Sequence, residues 1–99
     1  MLRFREARTS DLALLIDMLA NDEIGKQRED VRIPINPNYV AAIEANTRDP
    51  NNTLIVAESG VRLLGMMQLT FIPYLTHVGS WRCLIEAVIS NGDQRGWLA

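Results

Sequence analysis

The residue best suited by type and setting to move a proton is Glu86, a carboxylate inside the apolar run Trp81 to Ile89. Period-two geometry puts it on one face of a strand with Arg82, Leu84 and Val88. A carboxylate among apolar neighbours suits a general base, whereas a guanidinium beside it makes a structural ion pair, with Arg82 or Arg62 as the partner at a wet sheet face. The single histidine, His77, falls between the last two apolar runs, where it could serve as acid or base toward a bound amine. Nothing nearby in the sequence fixes its tautomer or shares a metal with it, so a plain surface side chain is the competing reading. A third candidate is Asp93-Gln94-Arg95-Gly96. Glycine and exposed backbone N–H groups that follow a strand and open a helix can hold an anion, and the same four residues also make an ordinary polar turn. Met66 and Met67 read as core filler rather than as ligand contacts.

The elements that must position these groups follow from periodicity. Leu2 to Ala7 alternates apolar with charged residues, the pattern of a strand with one wet face. Thr9-Ser10-Asp11 supplies an N-cap with an acid in the first turn, and Leu12, Leu15, Ile16 and Leu19 recur at the spacing of an amphipathic helix. From Asn21 to Pro37 the chain is polar, with Gly25 and Pro34, and predicts an irregular or partly helical excursion. Asn36-Pro37 predicts a cap and first turn, and Tyr39, Val40 and Ile43 give the stripe of a second helix that Asp49-Pro50 stops.

Thr53 to Glu58 and Val61 to Ile72 are strand-like runs joined at Ser59-Gly60, which predicts a hairpin, and Gly65 inside the second marks a bulge or a close backbone approach. Pro73 ends that strand, Tyr74 to Gly79 forms a loop, and Trp81 to Ile89 is a last strand. The expected class is α+β, an antiparallel sheet with helices layered on it in the order β-α-α-β-β-β.

With 99 residues and 47% hydrophobic content, the sequence predicts a single domain with one modest core, residues 1–99. Ten basic residues against twelve acidic ones give a net charge of -2, too weak a field to recruit nucleic acid or an anionic membrane. Cys83 has no partner for a disulfide, and no Cys/His cluster suggests a metal, so a reducing, cytoplasmic setting is expected. Charges interrupt the N-terminal residues where a signal peptide needs an apolar core, and Asp17, Arg62, Gln68 and Thr70 interrupt every longer apolar stretch. A soluble protein is expected.

Five stretches together resemble the N-terminal half of the GCN5-related N-acetyltransferase (GNAT) superfamily, the acyl-CoA N-acyltransferase fold. They are Phe4 to Arg8 with Asp11-Leu12, Leu54 to Glu58, Gly65 to Thr70, Trp81-Arg82 with Ile85 to Val88, and Asp93 to Gly96. The resemblance implies transfer of an acetyl group from acetyl-coenzyme A to a small-molecule or peptide amine. It implies Glu86 as the general base, backbone N–H groups around Ala87 and Val88 for the oxyanion, and the strand through Ile89 laid along the pantetheine arm. Arg95 and Gly96 match the first two positions of the pyrophosphate loop. Leu98 stands where the next glycine belongs and the sequence stops after Ala99, so an incomplete donor site with impaired coenzyme binding is expected. The alternative is a non-catalytic oligomeric remnant or binding module, in which an exposed sheet edge and face drive homo-oligomerisation through the last strand or by exchange of elements.

Overall fold

Two periodicities in the sequence, two in its strands and near 3.6 in its helices, divide the molecule into a sheet and a helical layer. The computed structural model describes residues 2–22 and 25–90, with side chains described as far as Glu86. Strand β1 (Leu2–Glu6) leads into helix α1 (Leu12–Ala20) through a 3-10 turn at Thr9–Asp11. Helix α2 (Pro37–Arg48), β2 (Asn52–Ser59), β3 (Arg62–Pro73) and β4 (Trp81–Ser90) follow in the expected order. The strands form one antiparallel sheet ordered β1-β2-β3-β4.

Each boundary has a local cause. Asn36 caps α2 by accepting the Asn38 N–H at 2.9 Å, and Pro37 occupies the first turn, where a missing N–H costs nothing. The β2–β3 hairpin closes through Gly60 and Val61, with Gly60 at φ 61, a conformation that any Cβ would strain. The excursion between the helices is irregular as expected, with a 3-10 turn at Gly25–Gln27. A Cβ on Gly25 would sit 1.9 Å from the Leu19 carbonyl oxygen at the end of α1. Gly25→Ala is therefore expected to cost about 2 kcal/mol, read as a lowered urea midpoint at unchanged m-value.

Register places two bulges. Ala57 faces Gly65 while Glu58 faces Leu63, so the extra residue on β3 is Leu64, one position before the glycine that marked it in the sequence. Gln68 faces Glu86 while Met66 faces Ile89, so β4 carries one extra residue just after Glu86.

The core lies on one face of the sheet. Leu12, Leu15, Ile16 and Met18 of α1 and Ile43 of α2 pack on Val56, Leu63 and Met66, with Val56 fully shielded from water. Residues paired directly across the strands share a face. Phe4, Phe71, Trp81 and Ile85 therefore fall opposite the helices, and they are 57%, 39%, 61% and 56% exposed. That face carries no helix among the described residues. No described helix is long and apolar enough to cross a membrane.

Candidate active site

A row of polar side chains crosses the helix-covered face of the sheet. It begins at Asp49, just past α2, whose carboxylate accepts the Asn51 backbone N–H at 2.8 Å and the Asn52 side-chain amide at 2.7 Å. Asn52 Oδ1 in turn accepts the Thr70 hydroxyl at 2.7 Å and Gln68 Nε2 at 3.4 Å. Gln68 stands directly across β4 from Glu86. Sequence reasoning singled out Glu86 and missed Asn52 and Gln68. Their trace in the sequence was Gln68 and Thr70 breaking an apolar strand at period two.

Glu86 is exposed, and among the described residues it makes no ion pair, which corrects the expectation of a partner in Arg82 or Arg62. Four strand residues span about 13 Å, so Arg82 shares a face with Glu86 without reaching it. The Arg82 guanidinium lies instead over the Tyr74 ring, 4.7 Å from its centroid.

Between α1, α2 and the sheet lies an open cavity of about 130 Å³. Leu15, Ile16, Tyr39, Leu54 and Met66 give it apolar walls, and Gln68 borders it. The excursion between the helices is tied to α2 by a polar network. Tyr39 donates its hydroxyl proton to Glu29 at 2.6 Å and accepts the Asp30 N–H at 2.9 Å. Burial and the neighbouring Glu29 carboxylate push the Tyr39 phenol up, while that phenol and Arg28 hold Glu29 below the usual carboxylate range. Arg32, backed by Asn36, holds Asp30 low as well.

A second network locks β1 to α1. Arg5 donates two hydrogen bonds to Asp11, at 2.8 and 2.9 Å, and approaches Glu58 at 3.1 Å. Asp11 also accepts the Arg8 backbone N–H at 2.7 Å, so this acid is the clasp of the turn rather than a solvated first-turn charge. The Arg5 guanidinium holds its carboxyl below the usual range despite burial.

His77 is exposed in the β3–β4 connection and, among the described residues, has no hydrogen-bond partner to fix its tautomer. It adopts φ 55 and Val78 φ 61, a left-handed turn that is strained for a β-branched residue. Met66 is buried in the core, as expected of filler. Ala87 and Val88 lie in β4 at the bulge and Ile89 just past it, whereas Arg95 and Gly96 lie outside the described residues. No group of metal-ligating side chains occurs among the described residues.

No protein-family model and no curated protein matches the chain. Solved structures do. The transcriptional regulator from Bacillus halodurans C-125 superposes at a TM-score of 0.92 with 44% identity, over 97% of this chain and 64% of that one. An acetyltransferase of Trypanosoma brucei gives 0.71 at 22% identity, over 97% and 64%. The spermidine N-acetyltransferase from Vibrio cholerae, in complex with CoA and spermine, gives 0.62 at 18% identity, over 96% and 54%. The chain thus spans less than two thirds of each of these structures. Its fold is that of the GCN5-related N-acetyltransferases, in the N-terminal part of the domain.

Proposed function

We propose that the chain forms the acceptor side and the thioester-binding strand of a GNAT-type N-acetyltransferase acting on a small-molecule or peptide amine. The observation that carries this is the extra residue of β4 immediately after Glu86. A bulge leaves backbone groups unpaired with the neighbouring strand and re-aims them. Here it falls at Ala87 and Val88, the positions whose N–H groups would meet the acyl oxygen. β4 is also the edge of the described sheet, so its outer backbone groups can pair with an extended amide chain such as pantetheine, in line with Ile89. The described backbone of β4 therefore suits the pantetheine and thioester end of the coenzyme. Acetyl-coenzyme A would supply the thioester carbonyl; by the resemblance Arg95 and Gly96, outside the described residues, would serve its pyrophosphate, with that end weakened by Leu98 in place of the next glycine.

Glu86 takes a proton from the acceptor ammonium, which leaves the nitrogen lone pair free to attack. Its exposure and lack of a described ion-pair partner keep it available for that step. The polar row on β2 and β3 gives the amine a wet edge beside an apolar cavity. Exposed Cys83 suits a reducing, cytoplasmic compartment.

The test is release of free coenzyme A from acetyl-coenzyme A in the presence of primary amines, alongside calorimetric titration of acetyl-coenzyme A. Amine-dependent release above the hydrolysis rate is expected. Neither binding nor release would end the enzyme reading.

A second reading, a non-catalytic oligomeric or binding module, rests on the apolar sheet face that holds Phe71, Trp81 and Ile85, exposed among the described residues. It predicts self-association through β4 or by exchange of elements. Sedimentation showing only monomer at micromolar concentration would remove it.

A further inference from the structure

Helix α1 is apolar from Leu12 to Ala20 except for Asp17. A helix that is apolar on every side belongs in an interior. Leu12, Leu15, Ile16 and Met18 are buried against the sheet, yet Ala13, Leu14 and Asp17 are exposed on the outer side. Asp17 stands on a ridge between two hollows, since it lines both. One, of about 330 Å³, opens between α1 and the tip of the β2–β3 hairpin, where Leu14, Val61 and Arg62 border it. The other, of about 70 Å³, opens toward the excursion between the helices, beside Ala13 and Ile33. Val61 and Ile33 are almost fully exposed and Leu14 half exposed, so the outer face of α1 is the centre of an apolar surface in contact with water.

The charges on this surface constrain what can cover it. Asp17 and Arg62 line the same groove, and neither side chain has a hydrogen-bond or ion-pair partner among the described residues. A surface with an acid on its ridge and a base on its rim is complementary to itself, which is what a two-fold contact requires. Packing the α1 ridge of one copy into the groove between α1 and the hairpin of another, and the reverse, sets each Asp17 beside the other copy's Arg62. The short side chain of Ala13 lets the two ridges approach, and Leu14 and Val61 leave water on contact. We propose that the outer face of α1 is a two-fold interface with a second copy of this chain, with reciprocal Asp17–Arg62 ion pairs fixing its register. This contact needs neither acetyl transfer nor the β4 edge.

Sedimentation velocity of the wild type should show a reversible dimer at micromolar concentration. Asp17→Arg and Arg62→Glu each turn both ion pairs into like-charge pairs and should raise the dimer Kd about tenfold or more. Both side chains are exposed, so each variant should keep the circular dichroism and thermal melt of the wild-type monomer. Mixing the two variants in equal amounts sets opposite charges together again at both pairs. A mixed dimer with a Kd near that of the wild type is therefore expected, followed by a fluorescent label on one variant. Recovery in a chain carrying both substitutions, but not in the mixture, would place the pair within one chain and overturn the inference. A wild type that stays monomeric overturns it together with the oligomeric reading. A dimer indifferent to both substitutions overturns it alone and leaves association through β4 standing.

Discussion

Glu86→Gln is expected to lower amine acetylation near neutral pH by about a hundredfold or more, the usual contribution of a positioned general base. Glutamine keeps the shape of the side chain and cannot take the ammonium proton. The deficit should shrink as pH approaches the ammonium pKa of the acceptor, because an amine that arrives deprotonated has no need of Glu86. Folding should be nearly unaffected, since Glu86 is exposed and makes no ion pair among the described residues. Coenzyme A release measured from neutral to alkaline pH, beside a thermal melt, separates these effects. A variant as active as wild type at pH 7 would remove Glu86 from the chemistry.

The largest effect on stability is expected at Asp11. This carboxylate is 7% exposed, and it takes two hydrogen bonds from Arg5 and one from the Arg8 backbone. Asp11→Ala leaves Arg5 with Glu58 and the Glu6 carbonyl and strips the Arg8 N–H of its acceptor, a loss of about 3 kcal/mol by analogy with other broken buried pairs. The pH dependence has a definite sign. Arg5 lowers the folded-state pKa of Asp11 below its unfolded value, so the wild type gains stability from this group above the ordinary aspartate value of about 3.9. That gain is lost as pH falls through the lower, folded value. Urea unfolding of both proteins from pH 7 downward should show a gap that is constant near neutrality and closes only in acid. A gap that is already closed at pH 5 would contradict the assignment.

Much of the fold was legible because it depends on near neighbours in sequence. The Leu12, Leu15, Ile16 and Leu19 stripe faces the sheet, and Asn36-Pro37 starts a helix, for reasons contained within a few residues. Glu86 was legible as a carboxylate in an apolar strand. Its surroundings were not, because they are set by register between strands. The link between Asn52 and Gln68 spans 16 positions and exists only because β2 and β3 pair with Asn52 opposite Thr70. The β4 bulge is likewise a property of two strands, invisible in either one. The ion pair expected between Arg82 and Glu86 failed on a simple length, since a shared face is not contact along an extended chain. Asp11 illustrates the same limit, because its type and position predicted a cap, and only β1 lying beside it supplies Arg5.

The one-sided core has a calorimetric consequence. Aromatic and aliphatic side chains such as Phe4, Trp81 and Ile85 are already wet in the folded chain, so unfolding adds little of their surface to water. The heat-capacity increment of unfolding should then fall below the usual value of about 12–15 cal/mol/K per residue. The stability curve would be unusually flat, with a broad melt and a shallow dependence on temperature.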